Sequence, residues 1–330
     1  MDRRTFVKSV GLSLALGTTG ACAKENRQGV LRSKGDLSRV AVMTDGKVHK
    51  AGGLDAGRVK ALLDRALRAA LGSSDATSGL RGMIEPADVV GVKLNCLAGP
   101  PLSPTREFTD ALVTALVSVG VAPGRIVFFE RGERDIRKGG FDVGGGDGRP
   151  VFMGNDSRGA GYEKEISVSG QVGSCLSRIL TRRISVLINV GVLKDHNLAG
   201  VGVATKNLFG LIHNPNKFHD NGCDPFVADV LAFPVVQKKL RLSLVDALTA
   251  QCHGGPGYLP GYTWEMNGVL ASTDPIALDR VAWDVIESKR REKGLKTLTA
   301  ENRAPKWIRT AASRGLGLDD LKKIKIIREG

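Results

Sequence analysis

The stretch 186-VLINVGVLKDHNLAGVGVATKNLFGLIHNPNKFH-219 decides how the rest of the chain is read. Its first residues continue an apolar, β-branched run from Ile184 to Val190, the composition of a buried strand. The run turns polar at Lys194-Asp195-His196, and a glycine-punctuated segment follows with Lys206-Asn207, His213 and His219. Three of the chain's 5 histidines lie in this window, with Lys194, Lys206 and Lys217. Ligands of open α/β sheets bind beyond the carboxyl ends of strands. A strand running into Lys-Asp-His is therefore where a site is expected.

Working outward, strands are expected at Val40–Met43, Ala87–Leu94, Arg125–Glu130, Leu240–Asp246, Met266–Ala271 and Leu321–Ile327. Apolar residues at helical spacing predict a helix between Leu54 and Leu71. A second is expected after Ser103, read as an N-cap with Pro104 at the first helical position. Further helices are predicted over Val172–Leu180, Asp224–Gln237 (broken or kinked at Pro234), from Asp274-Pro275, and over Lys306–Gly315. Strand, helix and strand between Ala87 and Glu130 form a βαβ unit, which requires a parallel pair. The fold expected is α/β: a mixed, mostly parallel sheet flanked by helices. A glycine-rich insertion near 131–160, read as flexible, interrupts it, and matches neither a P-loop nor GxGxxG.

The 330 residues, 42% hydrophobic and 25% charged, suit a soluble globular chain. The formal net charge is +14, and removing residues 1–22 (Arg3, Arg4 and Lys8 against Asp2) leaves about +12. Either a solvated basic surface or an anionic partner accounts for it. The basic residues are scattered and aromatics are only 5%, so nucleic acid is not an expected partner.

Arg3-Arg4-Thr5-Phe6-Val7-Lys8 resembles the twin-arginine (Tat) export consensus, and Ser9–Ala21 is an apolar tract too short to span a membrane. Residues 1–22 are thus expected to be a signal peptide, with the Tat translocase as partner during export. Residues 23–36 are a polar linker, and 37–330 one domain. Thr19-Gly20-Ala21-Cys22 is a degenerate lipobox, and two outcomes stay open. One is a lipid on Cys22; the other is ordinary cleavage near Ala21-Cys22-Ala23. Either places the protein in the periplasm or on the outer face of the cytoplasmic membrane, with no transmembrane span in the mature chain. Cys96, Cys175, Cys223 and Cys252 show neither zinc nor iron–sulfur spacing, and are read as free thiols unless the compartment pairs them.

Several pieces together resemble the domain of unknown function 362 (DUF362) family. They are Val92-Lys93-Leu94-Asn95 with Pro104-Thr105, Ile188-Asn189 through His196, Thr205–Gly210, His219, Val245-Asp246, Gly255-Pro256-Gly257, and Ala271–Pro275 with Ala277-Leu278-Asp279. They recur in family order over roughly residues 87–330. The resemblance implies an α/β domain of uncharacterised activity. Many relatives carry ferredoxin-like cysteine runs, which this chain lacks, so no iron–sulfur role carries over. The family usually has Lys-Thr-His where this chain has Lys194-Asp195-His196.

Lys194, His196, Lys206 and Asp246 are the candidate catalytic residues. Lysines hold carboxylates or phosphates, a desolvated Lys206 can form a Schiff base, and His196 or Asp246 can move a proton. Lys93, Asn95, Asn207, Gly255 and Gly257 are candidates for substrate binding. His196, His219 and Asp279 are the candidate metal ligands, should a metal be the unknown cofactor. Asp274 reads as a helix N-cap, while Asp279 inside that helix is harder to explain by propensity. Two functions stay open: an exported enzyme acting on a small anionic substrate, or a non-catalytic envelope protein binding an anionic ligand or partner. Elbow-type and His-Glu-x-x-His hydrolases find no motif here.

Overall fold

A computed structural model describes residues 37–330. The expected signal, the lipobox at Cys22 and the linker 23–36 lie outside the described residues. Ten strands form one sheet: β1 (Ser38–Thr44), β2 (Val90–Lys93), β3 (Ile126–Glu130), β4 (Gly144–Gly146), β5 (Arg149–Gly154), β6 (Val186–His196), β7 (Gly200–Val201), β8 (Leu240–Gln251), β9 (Thr263–Ser272) and β10 (Ile324–Glu329). Their order is β10-β1-β9-β8-β6-β2-β3-β5-β4, with β7 paired to β6. The central run β8-β6-β2-β3-β5 is parallel, while β9 is antiparallel to both neighbours and β4 to β5. The sheet is thus mixed and mostly parallel, as the βαβ spacing predicts.

Central strands are buried on both faces, and alternate residues feed two cores. On one face Val90, Val92, Ile126, Phe128, Ile188 and Val190 pack with helices α1 (Ala56–Leu71) and α2 (Arg106–Ser118). On the other, Val127, Phe129, Leu187 and Leu193 pack with α3 (Pro275–Glu292) and α4 (Lys306–Ser313). Helix α1 starts at Asp55, whose carboxylate accepts from Arg58 N, and stops at Gly72 in the left-handed conformation. Asp274 caps α3 as expected, accepting from the amides of Ile276 and Ala277.

Several expectations are corrected. Helix α2 is capped by Thr105, not Ser103, because the Thr105 hydroxyl accepts from Phe108 N. The helix accordingly begins at Arg106, two residues past Pro104. The glycine-rich segment near 131–160 is not a loose insertion. It supplies a short helix, Glu133–Lys138, and the sheet-edge pair β4 and β5. Phe152 anchors that edge by stacking on Phe128 and Phe141 at 4.6 and 5.2 Å. Val172–Leu180 is not a helix: Val172–Ser174 pairs with Ser167–Ser169, and a π-helical turn follows at Ile179–Arg183. Asp224–Gln237, by contrast, is broken at Pro234 as expected, into Phe226–Leu231 and Pro234–Lys239. Strand β6 does not end at Val190 but continues through His196, and β8 passes Asp246 to reach Gln251.

Both extensions matter for the site. The pairing of β6 with β2 stops at Asn189–Lys93, so Val190–His196 overhangs its neighbour. From β2 the chain adds β3 and β5 on one side, then returns to place β6 on the other. The order therefore reverses between β2 and β6, and a crevice opens at such a switch point.

Candidate functional site

A cavity of about 590 Å³ occupies that crevice. Its walls come from the ends of β2 (Lys93, Asn95, Leu97), β3 (Glu130, Arg131) and β6 (Lys194, His196), from Lys206–Gly210, and from Pro215, Asn216 and His219. Six residues of the expected catalytic and substrate-binding sets thus meet: Lys93, Asn95, Lys194, His196, Lys206 and Asn207. The period of two along β6 sends Lys194 and His196 into the cavity and Asp195 away from it. The Asp195 carboxylate accepts from Gly255 N at 2.8 Å and pairs with Arg303 at 3.2 Å. Asp195, the residue that differs from the pattern the resemblance implies, therefore points away from the cavity.

The three cavity lysines differ in how their donors are used. Lys93 Nζ spends all three, on Leu94 O (2.5 Å), Asn207 Oδ1 (3.2 Å) and Glu130 Oε1 (3.2 Å). Asn207 in turn donates to Asn189 Oδ1 at 2.8 Å and Val190 O at 3.2 Å, locking the floor. Gly210 makes room for this lysine, since a Cβ there would sit 2.4 Å from Lys93 Cε. Lys194 is 1% exposed, and its one side-chain partner among the described residues is Asn95 Oδ1 at 3.0 Å. Lys206 has His219 Nε2 at 3.1 Å and lies 3.8 Å from the centre of the Phe209 ring. Among the described residues neither Lys194 nor Lys206 has a carboxylate at salt-bridge distance. Burial lowers each ammonium to about 8, with nearby Glu130 opposing this at Lys194.

The two cavity histidines are fixed as opposite tautomers. His196 Nδ1 accepts from the amides of Leu198 and Ala199, both at 3.2 Å, so its proton sits on Nε2. Burial, then the Lys206 charge, holds this imidazole neutral by pushing its pKa down to about 2. His219 Nδ1 faces Pro215 O and Asn216 O at 3.2 and 3.1 Å, which leaves Nε2 as the acceptor for Lys206. Burial and Lys206 also lower the His219 pKa. The rings stack with centroids 5.7 Å apart.

The remaining expected residues lie outside the cavity. Asp279 is fully buried and accepts from Ala204 N and Thr205 N, both at 2.8 Å. It anchors the 3-10 turn Thr205–Leu211 that carries Lys206, and burial raises its pKa to about 6. Among the described residues no group of three or more His, Cys, Asp and Glu side chains is arranged to hold a metal. His196, His219 and Asp279 are therefore not brought together as a ligand set, and His196 offers a proton at Nε2 rather than a lone pair. Asp246, expected at a strand end, lies within β8 and accepts from Thr105 N, Thr105 Oγ1 and Leu248 N at 2.8–3.0 Å. Burial raises its pKa as well. Gly255 packs so closely on β6 that a Cβ would meet Asp195 O at 2.0 Å, and Gly257 O accepts from Gln251. Between these two glycines it is Pro256 that lines the cavity. Cys96, Cys175, Cys223 and Cys252 are free thiols.

Sequence reasoning missed Glu130, Arg131, Asp135 and the apolar rim formed by Leu97 and Leu198. The acidic residue that closes the apolar run Ile126–Glu130, as Lys93 closes Val90–Lys93, was the signal that could have singled out Glu130.

The family model for a domain of unknown function (DUF362) matches residues 153–284, less than half of the chain. That interval holds Lys194, His196, Lys206, Asn207 and His219 but not Lys93, Asn95 or Glu130. No curated protein matches the chain. Among solved structures, a structural-genomics crystal structure of a protein from Thermotoga maritima is similar, with 11% identity and a TM-score of 0.40. The match covers 72% of this chain and 59% of that one, so the chain spans under two thirds of that protein.

Proposed function

We propose that the chain is an enzyme acting on a small carboxylate- or phosphate-bearing substrate held in the switch-point cavity. One observation carries the reading: Lys194 and Lys206 are buried without a carboxylate partner among the described residues, and both line this cavity. Burying an uncompensated ion costs about several kcal/mol. An anionic ligand supplies the missing charge, Lys194, Lys206 and the Asn95 amide donate to it, and His196 Nε2–H adds a neutral donor. A desolvated amine beside a neutral imidazole at 3.1 Å is equipped for proton transfer or nucleophilic attack, which favours an enzyme over a passive receptor.

The net charge of +14 supports a second reading, a non-catalytic envelope protein that holds a polyanion on its surface. Calorimetry with inorganic phosphate and oxalate as probes separates the two. Pocket binding persists as salt is raised, and Lys194→Met weakens it by about tenfold to a hundredfold, the worth of a charge-assisted hydrogen bond. Binding that vanishes with salt and ignores Lys194→Met would transfer the function to the surface.

The Arg3-Arg4 motif supports export to the periplasm or the outer face of the cytoplasmic membrane. Recovery of the chain from the cytoplasm of its host, rather than from the periplasmic or membrane fraction, would remove that part of the reading. Among the described residues no helix is long and apolar enough to cross a membrane.

A further inference from the structure

We propose that Lys206 captures its substrate as a covalent imine, and that the anion bound in the cavity is the carboxylate of an oxo acid. This rests on reading the cavity as an anion site, and adds a bond and a substrate class to it. Imine formation needs a free amine, a base to take its proton and a donor for the carbonyl oxygen. All three lie on one wall. The Lys206 amine has one hydrogen-bond partner among the described residues, and that partner is His219 Nε2, a lone pair able to accept a proton. His219 Nδ1–H points at Pro215 O and Asn216 O, which stabilise the ring once it is charged. His196, stacked on His219, supplies Nε2–H as a neutral donor of the kind that polarises a carbonyl without being consumed as an acid.

Lys194 is the poorer nucleophile of the two. Its partner, Asn95 Oδ1, cannot take a proton, and Glu130 nearby supports its charge. It is instead placed to hold the carboxylate, with the Asn95 amide beside it. Burial withholds from Lys206 the solvation an ammonium needs, and the face of the Phe209 ring, 3.8 Å from Nζ, replaces only part of it. The resulting fall to about 8 leaves on the order of a tenth of Lys206 as free amine at pH 7.

The step balances without an oxidant. Lys206 Nζ adds to the carbonyl carbon, and the π electrons move to oxygen, which His196 Nε2–H stabilises. One amine proton passes to His219 Nε2, and the oxygen takes from solvent a proton equivalent to the one the Lys206 ammonium released on becoming a free amine, giving a neutral carbinolamine beside a protonated His219. The nitrogen lone pair then expels that hydroxyl, protonated by His219, as water, and the C=N bond forms as the C–O bond breaks.

The test treats the purified chain with pyruvate or 2-oxoglutarate and borohydride, then maps modified peptides, while calorimetry on the same samples follows binding of the two oxo acids. The expected result is one reduced adduct, on Lys206. It disappears in Lys206→Arg and stays in Lys217→Arg, a change at an exposed lysine outside the cavity lining. Exchange of pyruvate methyl hydrogens for deuterium should accelerate at least about tenfold with the wild type and not with Lys206→Arg. If Lys206→Arg fails to fold, Lys206→Met takes its place. Oxo-acid binding without an adduct, or adducts spread over surface lysines and retained in Lys206→Arg, overturns the imine and leaves the anion site standing. Neither binding nor adduct overturns both.

Discussion

Two imidazoles stacked 5.7 Å apart carry their protons on different nitrogens, and backbone groups impose that difference. With its pKa near 2, His196 has no protonation step in the range where histidines ordinarily titrate, around ~6.5. Burial and Lys206 lower the His219 pKa as well, so above ~6.5 the pH dependence of ligand binding belongs to the lysines. Lys194 and Lys206 have folded values of about 8, below the ~10.4 of an unfolded lysine. Between these values the unfolded chain binds more protons, so folding stability rises with pH across that window. Anion affinity runs the other way, because it needs the ammonium forms. Calorimetric affinity for inorganic phosphate should be flat from about pH 6 to 7, once the change in phosphate charge is subtracted, and fall as pH passes about 8. In the same titration the imidazole nitrogens of His196 should keep a constant NMR signature. A break in affinity near ~6.5, tracking a histidine, would contradict the assignment.

The turn Thr205–Leu211 shows at the level of elements how much of the site could be read in advance. Lys194, His196 and Lys206 were legible because polar residues directly after an apolar run, or beside glycines, stand where strands end. Asp279 and Asp246 were equally conspicuous, as acids inside a helix and at the end of a strand. A sequence does not distinguish an acid that faces a cavity from one that binds backbone amides, since both appear as polar residues at unfavourable positions. In the fold both are backbone anchors: Asp246 holds the start of α2, and Asp279 holds the start of the turn bearing Lys206. Asp279→Asn replaces one acceptor oxygen by an N–H donor aimed at a backbone amide. It should destabilise the chain by about 1–3 kcal/mol in denaturant melts and weaken phosphate binding through Lys206. A variant as stable as the wild type would mean that the turn does not depend on this carboxylate.

Across the whole molecule, the site exists only because β2 and β6, almost a hundred residues apart in sequence, lie side by side. Each strand was visible in its own apolar run, but lateral order was not. It is set by which faces α1, α2 and α3 cover and by where the chain turns back. Glu130 escaped notice for that reason, since its worth comes from a neighbour on the adjacent strand. The sheet thus delivers two lysines to one cavity on unequal terms, and the turn Thr205–Leu211 brings the third. Lys93 is neutralised by Glu130 at 3.2 Å and sits in a closed hydrogen-bond network, whereas Lys194 is left to a single amide oxygen. Removing the partner of a buried ion leaves its charge uncompensated, at about 3–5 kcal/mol. Glu130→Gln should therefore lose about that much folding stability. Lys194→Met removes a charge that burial already disfavours, offset by leaving Asn95 Oδ1 to water in the cavity. Its stability should hold or rise, by on the order of 1–3 kcal/mol, while phosphate affinity falls. Guanidinium melts of the two variants beside the wild type read the contrast directly. If Lys194→Met unfolded as readily as Glu130→Gln, Lys194 would belong to the framework that holds the sheet together, and the uncompensated charge in the cavity would be Lys206 alone.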